Sequence, residues 1–146
     1  MERSFKMKKH WKITLFIVAI LLVAGLALAQ TWHTANQATV AWDAVTVPAD
    51  STIEYVVYLA NAVTDPNKDN PAEVAVTTDT DQLITLNVEG SYFVGVKSRR
   101  ILTADGTNVG ESDISWSDDP TRVLNGETFG LRYFVPPDAP SNLRPV

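Results

Sequence analysis

The chain has no cysteine among its 146 residues. Disulfide staples and thiolate metal sites are both excluded, so the fold must be held by its apolar core. Histidine is almost as scarce: of the 2 present, only His33 lies beyond the N-terminal leader. A Ser-His-Asp arrangement needs a histidine braced inside a pocket, and a lone histidine near the start of a folded chain reads as surface. No glycine loop suited to phosphate and no histidine pair at metal-ligand spacing occurs. The carboxylates that a paired-acid hydrolase would need cluster in turns, where they are solvated. The chain reads as non-enzymatic and without a cofactor.

Basic residues are also sparse where a nucleic-acid binder would need them. Arg3, Lys6, Lys8, Lys9 and Lys12 sit in the leader, ahead of an apolar run from Ile13 to Leu28 and the small-x-small phrase Ala27-Leu28-Ala29. This is the layout of a secretory signal peptide, a helical segment over residues 1–29 cut before Gln30. The run of about 16 residues is shorter than the roughly 20 that span a bilayer. Retention as an anchor is the alternative, and the membrane is then a partner only through this segment. Beyond the leader stand seven basic and sixteen acidic residues, a formal charge of −9. That balance argues against nucleic acid and anionic lipid as partners. The expected location is outside the cytoplasm: periplasmic, cell-surface or secreted.

What is present in quantity is alternation. Ala38, Val40 and Trp42 share one face of a first clear strand; Ile53, Tyr55, Val57 and Leu59 share a face of another, whose opposite side carries Val56 and Tyr58 and is expected to be partly covered. Glu73 to Thr77 is a short strand beside it. Ile84 and Leu86 alternate, Glu89-Gly90-Ser91 is turn chemistry, and Tyr92, Val94 and Val96 alternate again. Asp105-Gly106 between two extended runs signals a hairpin whose tip projects from the fold, with the return leg at Val109 to Trp116. The expected fold is all-β, an antiparallel sandwich of one domain over residues 30–120, followed by a strand-prone, Pro-rich tail over residues 121–146. Trp42, Tyr55, Leu86 and Tyr92 are its expected core.

The order of a leucine, five residues, a tyrosine and then valine at alternate positions (Leu86, Tyr92, Val94, Val96) resembles the E-F corner of a fibronectin type III domain. Trp42 and the Tyr55 strand resemble that family's strands B and C, and Gly110, Ser112, Ile114 and Trp116 its last strand. The resemblance covers about Ala38 to Ser117 and implies an immunoglobulin-like, fibronectin type III-like sandwich of a bacterial-type exported protein. In that family a corner tyrosine bonds backbone ahead of the corner, and recognition often lies in the loops at the hairpin end.

The expectation that follows is a binding or adhesion module recognising a protein or glycan through its loops, with Tyr58, Arg99, Arg100 and Asp105 as candidate contact residues. The alternative is a structural spacer or assembly subunit of an envelope or virion surface, self-associating through its tail. Asp65, Asn67 and Asp69 place oxygens at the alternate positions of a calcium loop. Asn70 stands where the glycine of such a loop belongs and Val76 where its glutamate belongs, so no metal is assigned. Leu131 to Val135 is strand-prone, and Pro136 to Leu143 resembles the lead into a fibronectin module. Self-packing, a vestige of a second module and donation to a neighbour's sheet edge all remain open for this tail.

Overall fold

The computed structural model describes residues 30–137. The expected signal peptide and residues 138–146 of the tail lie outside the described residues. Period-two alternation becomes strand over most of its length, but the expected return leg Val109 to Trp116 is broken at residues 112–114, so that it forms two short strands instead of one. Strands β1 (Thr31–Thr34) and β2 (Gln37–Ala41) open the chain, and β3 (Ser51–Asn61) and β4 (Ala72–Thr77) follow. Next come β5 (Asp81–Thr85) and β6 (Gly90–Leu102), then β7 (Asn108–Glu111), β8 (Ser115–Trp116) and β9 (Phe129–Tyr133).

The strands form two packed sheets, an all-β sandwich. Among the described residues the larger sheet runs β1-β9-β6-β3-β4, and the smaller contains β2 and β5. β3 lies against β6 along its whole length, from Ser51↔Leu102 to Asn61↔Tyr92. The other edge of β6 is shared in succession by β7, β8 and β9. Val40 and Ile84 from the smaller sheet, with Leu86 just past the end of β5, meet Val57, Leu59, Val94 and Leu131 from the larger, all buried. Tyr55 is buried as well, while Trp42 and Tyr92 are partly buried against this cluster.

Leu131 lies beyond residue 120, where the sequence places the end of the sandwich. Its side chain is 2% exposed inside the core, and β9 continues the same β6 edge that β7 and β8 begin. Residues 118–128 are therefore an excursion between two strands of one sheet. Its feet are held together: Phe129 donates its N–H to the Ser117 carbonyl at 2.9 Å, and Val94 N–H donates to Ser117 Oγ at 3.0 Å. The excursion interrupts the apolar alternation, which is why the sequence reads as if the sandwich had ended.

The corner before β6 is closed locally. Tyr92 donates its hydroxyl to the Val88 carbonyl at 3.1 Å. The Tyr55 hydroxyl accepts the Val45 N–H at 2.8 Å, and its ring lies 5.4 Å from that of Trp42. Tyr55 buries its ring and Tyr92 partly buries its own, and each fixes a length of irregular backbone with the hydroxyl.

Candidate binding surface

The residues expected to contact a partner are largely occupied by one another. Arg100 Nη2 lies 3.0 Å from Asp50 Oδ1, and its Nε donates to Ser51 Oγ at 2.8 Å. Arg99 Nε is 2.8 Å from Glu111 Oε1. The N–H is not aimed at that oxygen, so the contact is an ion pair without a hydrogen bond. Lys97 Nζ reaches the other Glu111 oxygen at 2.6 Å and stands 5.6 Å from the centre of the Tyr58 ring. Hydrogen bonds from Lys97 and Asn108 hold the Glu111 carboxyl below its ordinary value, and the bond to Glu111 raises the Lys97 ammonium. With Glu73 Oε2 3.7 Å from Arg99 Nη2, three carboxylates face the three cations within the sheet, and Tyr58, Arg99 and Arg100 are half-buried.

The hairpin tip does not project as the sequence suggests. Leu102 still pairs with Ser51, and Thr103 donates its N–H to the Asp50 carbonyl at 3.0 Å. β3 and the turn before it rise beside the hairpin, leaving only the turn residues clear. Asp105 is exposed, but Oδ1 accepts the Thr107 N–H at 3.0 Å, a bond that lowers its carboxyl pKa. In the 61–71 loop the Asp65 carboxylate accepts the N–H groups of Asp69 and Asn70, so its oxygens shape the loop. Asn67 and Asp69 are exposed, and no group of three metal-ligating side chains occurs among the described residues.

The outer face of the larger sheet is covered. Val56 and Ala60 point away from the sandwich core, yet are 0% and 1% exposed. Trp116 lies across Gly95, and Trp32 across Gly130; a Cβ at either glycine would come within 2.7 Å of the indole. Trp32 and Phe93 stack at 5.8 Å, and Arg132 lies 4.7 Å from the Trp32 ring. Lys68, at φ 60, reaches over Phe93 at 5.1 Å and pairs with Asp118 at 2.7 Å. This layer joins residues far apart in the sequence. Its one local signal is a glycine inside each of two strands, the mark of a close approach.

Among the described residues, one open strand edge borders an apolar groove: that of β2. β2 pairs with β5 on one side only. Trp42 N–H donates to Thr80 and Leu86 N–H to Asn36, so the even-numbered residues of β2 bond to β5. By antiparallel alternation, Gln37, Thr39 and Ala41 turn their main-chain groups to the opposite side. Among the described residues nothing pairs with them there. Beside this edge runs a groove of about 530 Å³ with Ala38, Val40, Phe129 and Leu131 in its walls. It continues into a wider cleft of about 930 Å³ that includes Trp42 and the excursion residues Val123 and Leu124. The opening exists because β1, joined to β2 through Ala35 and Asn36, pairs parallel with β9 in the larger sheet and leaves β2 without a second neighbour. Sequence reading missed this, since alternation marks a strand but not its partner.

Fold and surface define a class: an all-β sandwich with one strand edge open over an apolar groove. No protein-family model matches the chain, and no significantly similar curated protein or solved structure was found.

Proposed function

We propose that the chain is an exported, non-enzymatic binding module on a fibronectin type III-like sandwich, and that it binds by taking an extended strand of a protein partner along β2. The observation that carries this is the edge itself: three residues with unpaired main-chain groups beside an apolar groove. Main-chain bonds supply affinity in strand addition, and pockets for alternate side chains supply selectivity. The subtype is supported by the Tyr92 bond to the Val88 carbonyl and export by the leader's residues. Recognition through the hairpin has less support, because Arg99 and Arg100 already face Glu111 and Asp50.

Selection from a library of displayed peptides, about ten residues each, tests the edge. Selected peptides should slow hydrogen exchange at the Thr39 and Ala41 amides, and Thr39→Pro, a change tolerated on a free edge, should abolish binding while unfolding stays cooperative. Failure to enrich any peptide, or selected peptides that bind Thr39→Pro equally well, would refute the site.

A further inference from the structure

We infer that the β2 edge takes residues 138–146 of a second copy of this chain, running antiparallel to β2; this rests on the reading of that edge given above. The segment reads Asp138-Ala139-Pro140-Ser141-Asn142-Leu143-Arg144-Pro145-Val146. Leu143 is its largest apolar side chain and has polar neighbours on both sides, so as an added strand the segment turns Leu143 into the groove, over Val40, Phe129 and Leu131. In an antiparallel strand on this side of β2, the residues that face the groove point their N–H groups away from β2, and their outward neighbours point theirs toward it. With Leu143 opposite Val40, Asn142 faces Ala41, Arg144 faces Thr39 and Val146 faces Gln37. These are the three β2 residues whose main-chain groups are open, and all three donors in the added strand have an N–H.

The prolines fit only this direction. Pro145 falls opposite Ala38, where its missing N–H would have pointed away from β2, and Pro140 falls beyond the end of β2. Pro145 then stands on the new outer edge, where it blocks a further strand. In a parallel strand the inward residues bond to β2, and Pro145 removes one of the donors.

Reach decides between the chain's own tail and a neighbour's. β9 runs toward the corner, where Tyr133 pairs with Gly90 and Ala35 bonds to Arg132, so Pro137 leaves the fold at the Gln37 end of β2. For the antiparallel register, Asn142 must start at Ala41, the far end. From Pro137 to Asn142 the chain has five steps, about 17 Å when fully extended; the length of β2 from Gln37 to Ala41 takes about 13 Å of it, and the roughly 4 Å left is less than the spacing of neighbouring strands, too little for the reversal. A second copy has no such constraint. Reciprocal exchange closes a two-fold dimer, and head-to-tail exchange builds a longer chain.

The test is the solution mass of the chain from Gln30 to Val146, which contains the whole described core, over a range of concentrations. It should associate, a chain ending at Pro137 should remain monomeric, and Arg144→Pro, which removes one main-chain donor, should weaken association about tenfold. Ser141→Pro, whose N–H points away from β2, should associate like the parent. A parent that stays monomeric to about 1 mM, association that survives removal of 138–146, or equal weakening by both prolines would overturn the inference. So would a monomer whose Thr39 and Ala41 amides lose protection on truncation, because its own tail would then cover the edge. Adding peptide 138–146 to the chain ending at Pro137 should slow exchange at those amides. If library peptides do so and this one does not, the inference falls and the edge stands; if no peptide does, both fall.

Discussion

Leu131→Ala distinguishes a sandwich that ends at Pro120 from one completed by β9. Leu131 is 2% exposed and touches the cluster formed by Val40, Val94 and Leu86. Alanine removes three carbons from this site, about 0.8 kcal/mol each in transfer free energy. The cavity left behind adds a further contribution, so about 3 kcal/mol is expected. The β9 ladder with β6 is main-chain and remains, so the loss reports on packing alone. The assay is urea unfolding of the chain from Gln30 to Val146, followed by tryptophan fluorescence. With a slope of about 1.5 kcal/mol/M, the midpoint should fall by about 2 M at unchanged slope. Val135→Ala, at a position 58% exposed, should cost less than about 0.5 kcal/mol. A Leu131→Ala midpoint within about 0.3 M of the parent would mean that β9 does not complete the core.

Tyr92→Phe removes the donor to the Val88 carbonyl and should cost about 0.5–1.5 kcal/mol in the same titration; a neutral result would dismiss the corner bond. Gly95→Ala places a Cβ 2.6 Å from Ile114 Cγ2 and 2.7 Å from Trp116 Cζ3. Overpacking of about 1–3 kcal/mol should exceed the backbone gain of roughly 0.5–1 kcal/mol, whereas Gly110→Ala, which meets nothing within 4 Å, should be neutral or stabilising in thermal melts. Stability should also fall in acid. Asp50, held low by bonds from Ser51 and Arg100, and Glu111, held low by Lys97 and Asn108, have folded pKa values below their ordinary 3.8 and 4.5. Their contribution is present above the ordinary values and is lost as pH falls through the lowered ones. Lys97 behaves oppositely: its contribution is present below the ordinary 10.5 and is lost as pH rises through the raised value. Urea midpoints should therefore be flat between about pH 6 and 10 for these groups, and Glu111→Gln should reduce the acid slope; an unaltered slope refutes its pairing.

The strands were legible because alternation is a local property: Val40, Val57, Ile84 and Val94 each announce a face. The pairing of those strands was less legible. Nothing near Trp32 says that β1 joins β9 in the larger sheet, since that choice depends on Gly130 leaving room for the indole. The candidate contacts Arg99, Arg100 and Tyr58 looked free because their partners, Glu111, Asp50 and Lys97, are recruited by register. Leu131 looked like tail because the residues 118–128 before it are polar and irregular. An insertion between two halves of one sheet edge resembles a domain end when only periodicity is read.

The two sheets are unequal in a way that bears on the open edge. Residues of β3 and β6 are covered on both faces, by the core on one side and by Trp32, Phe93 and Trp116 on the other. β2 and β5 form a two-stranded sheet with exposed outer residues such as Thr39 and Leu83. An isolated pair of strands is marginal in water, and here it is supported only from its inner face. Local opening should therefore cost less in β2 than in β3, and amide exchange at Ala38 and Val40 should be faster than at Val56 and Val57. A strand bound along Gln37, Thr39 and Ala41 would make the smaller sheet three-stranded and slow exchange at its β5-bonded amides as well. That second effect separates strand addition from a ligand resting on the groove, which would shield side chains and leave opening of the β2-β5 ladder largely unchanged.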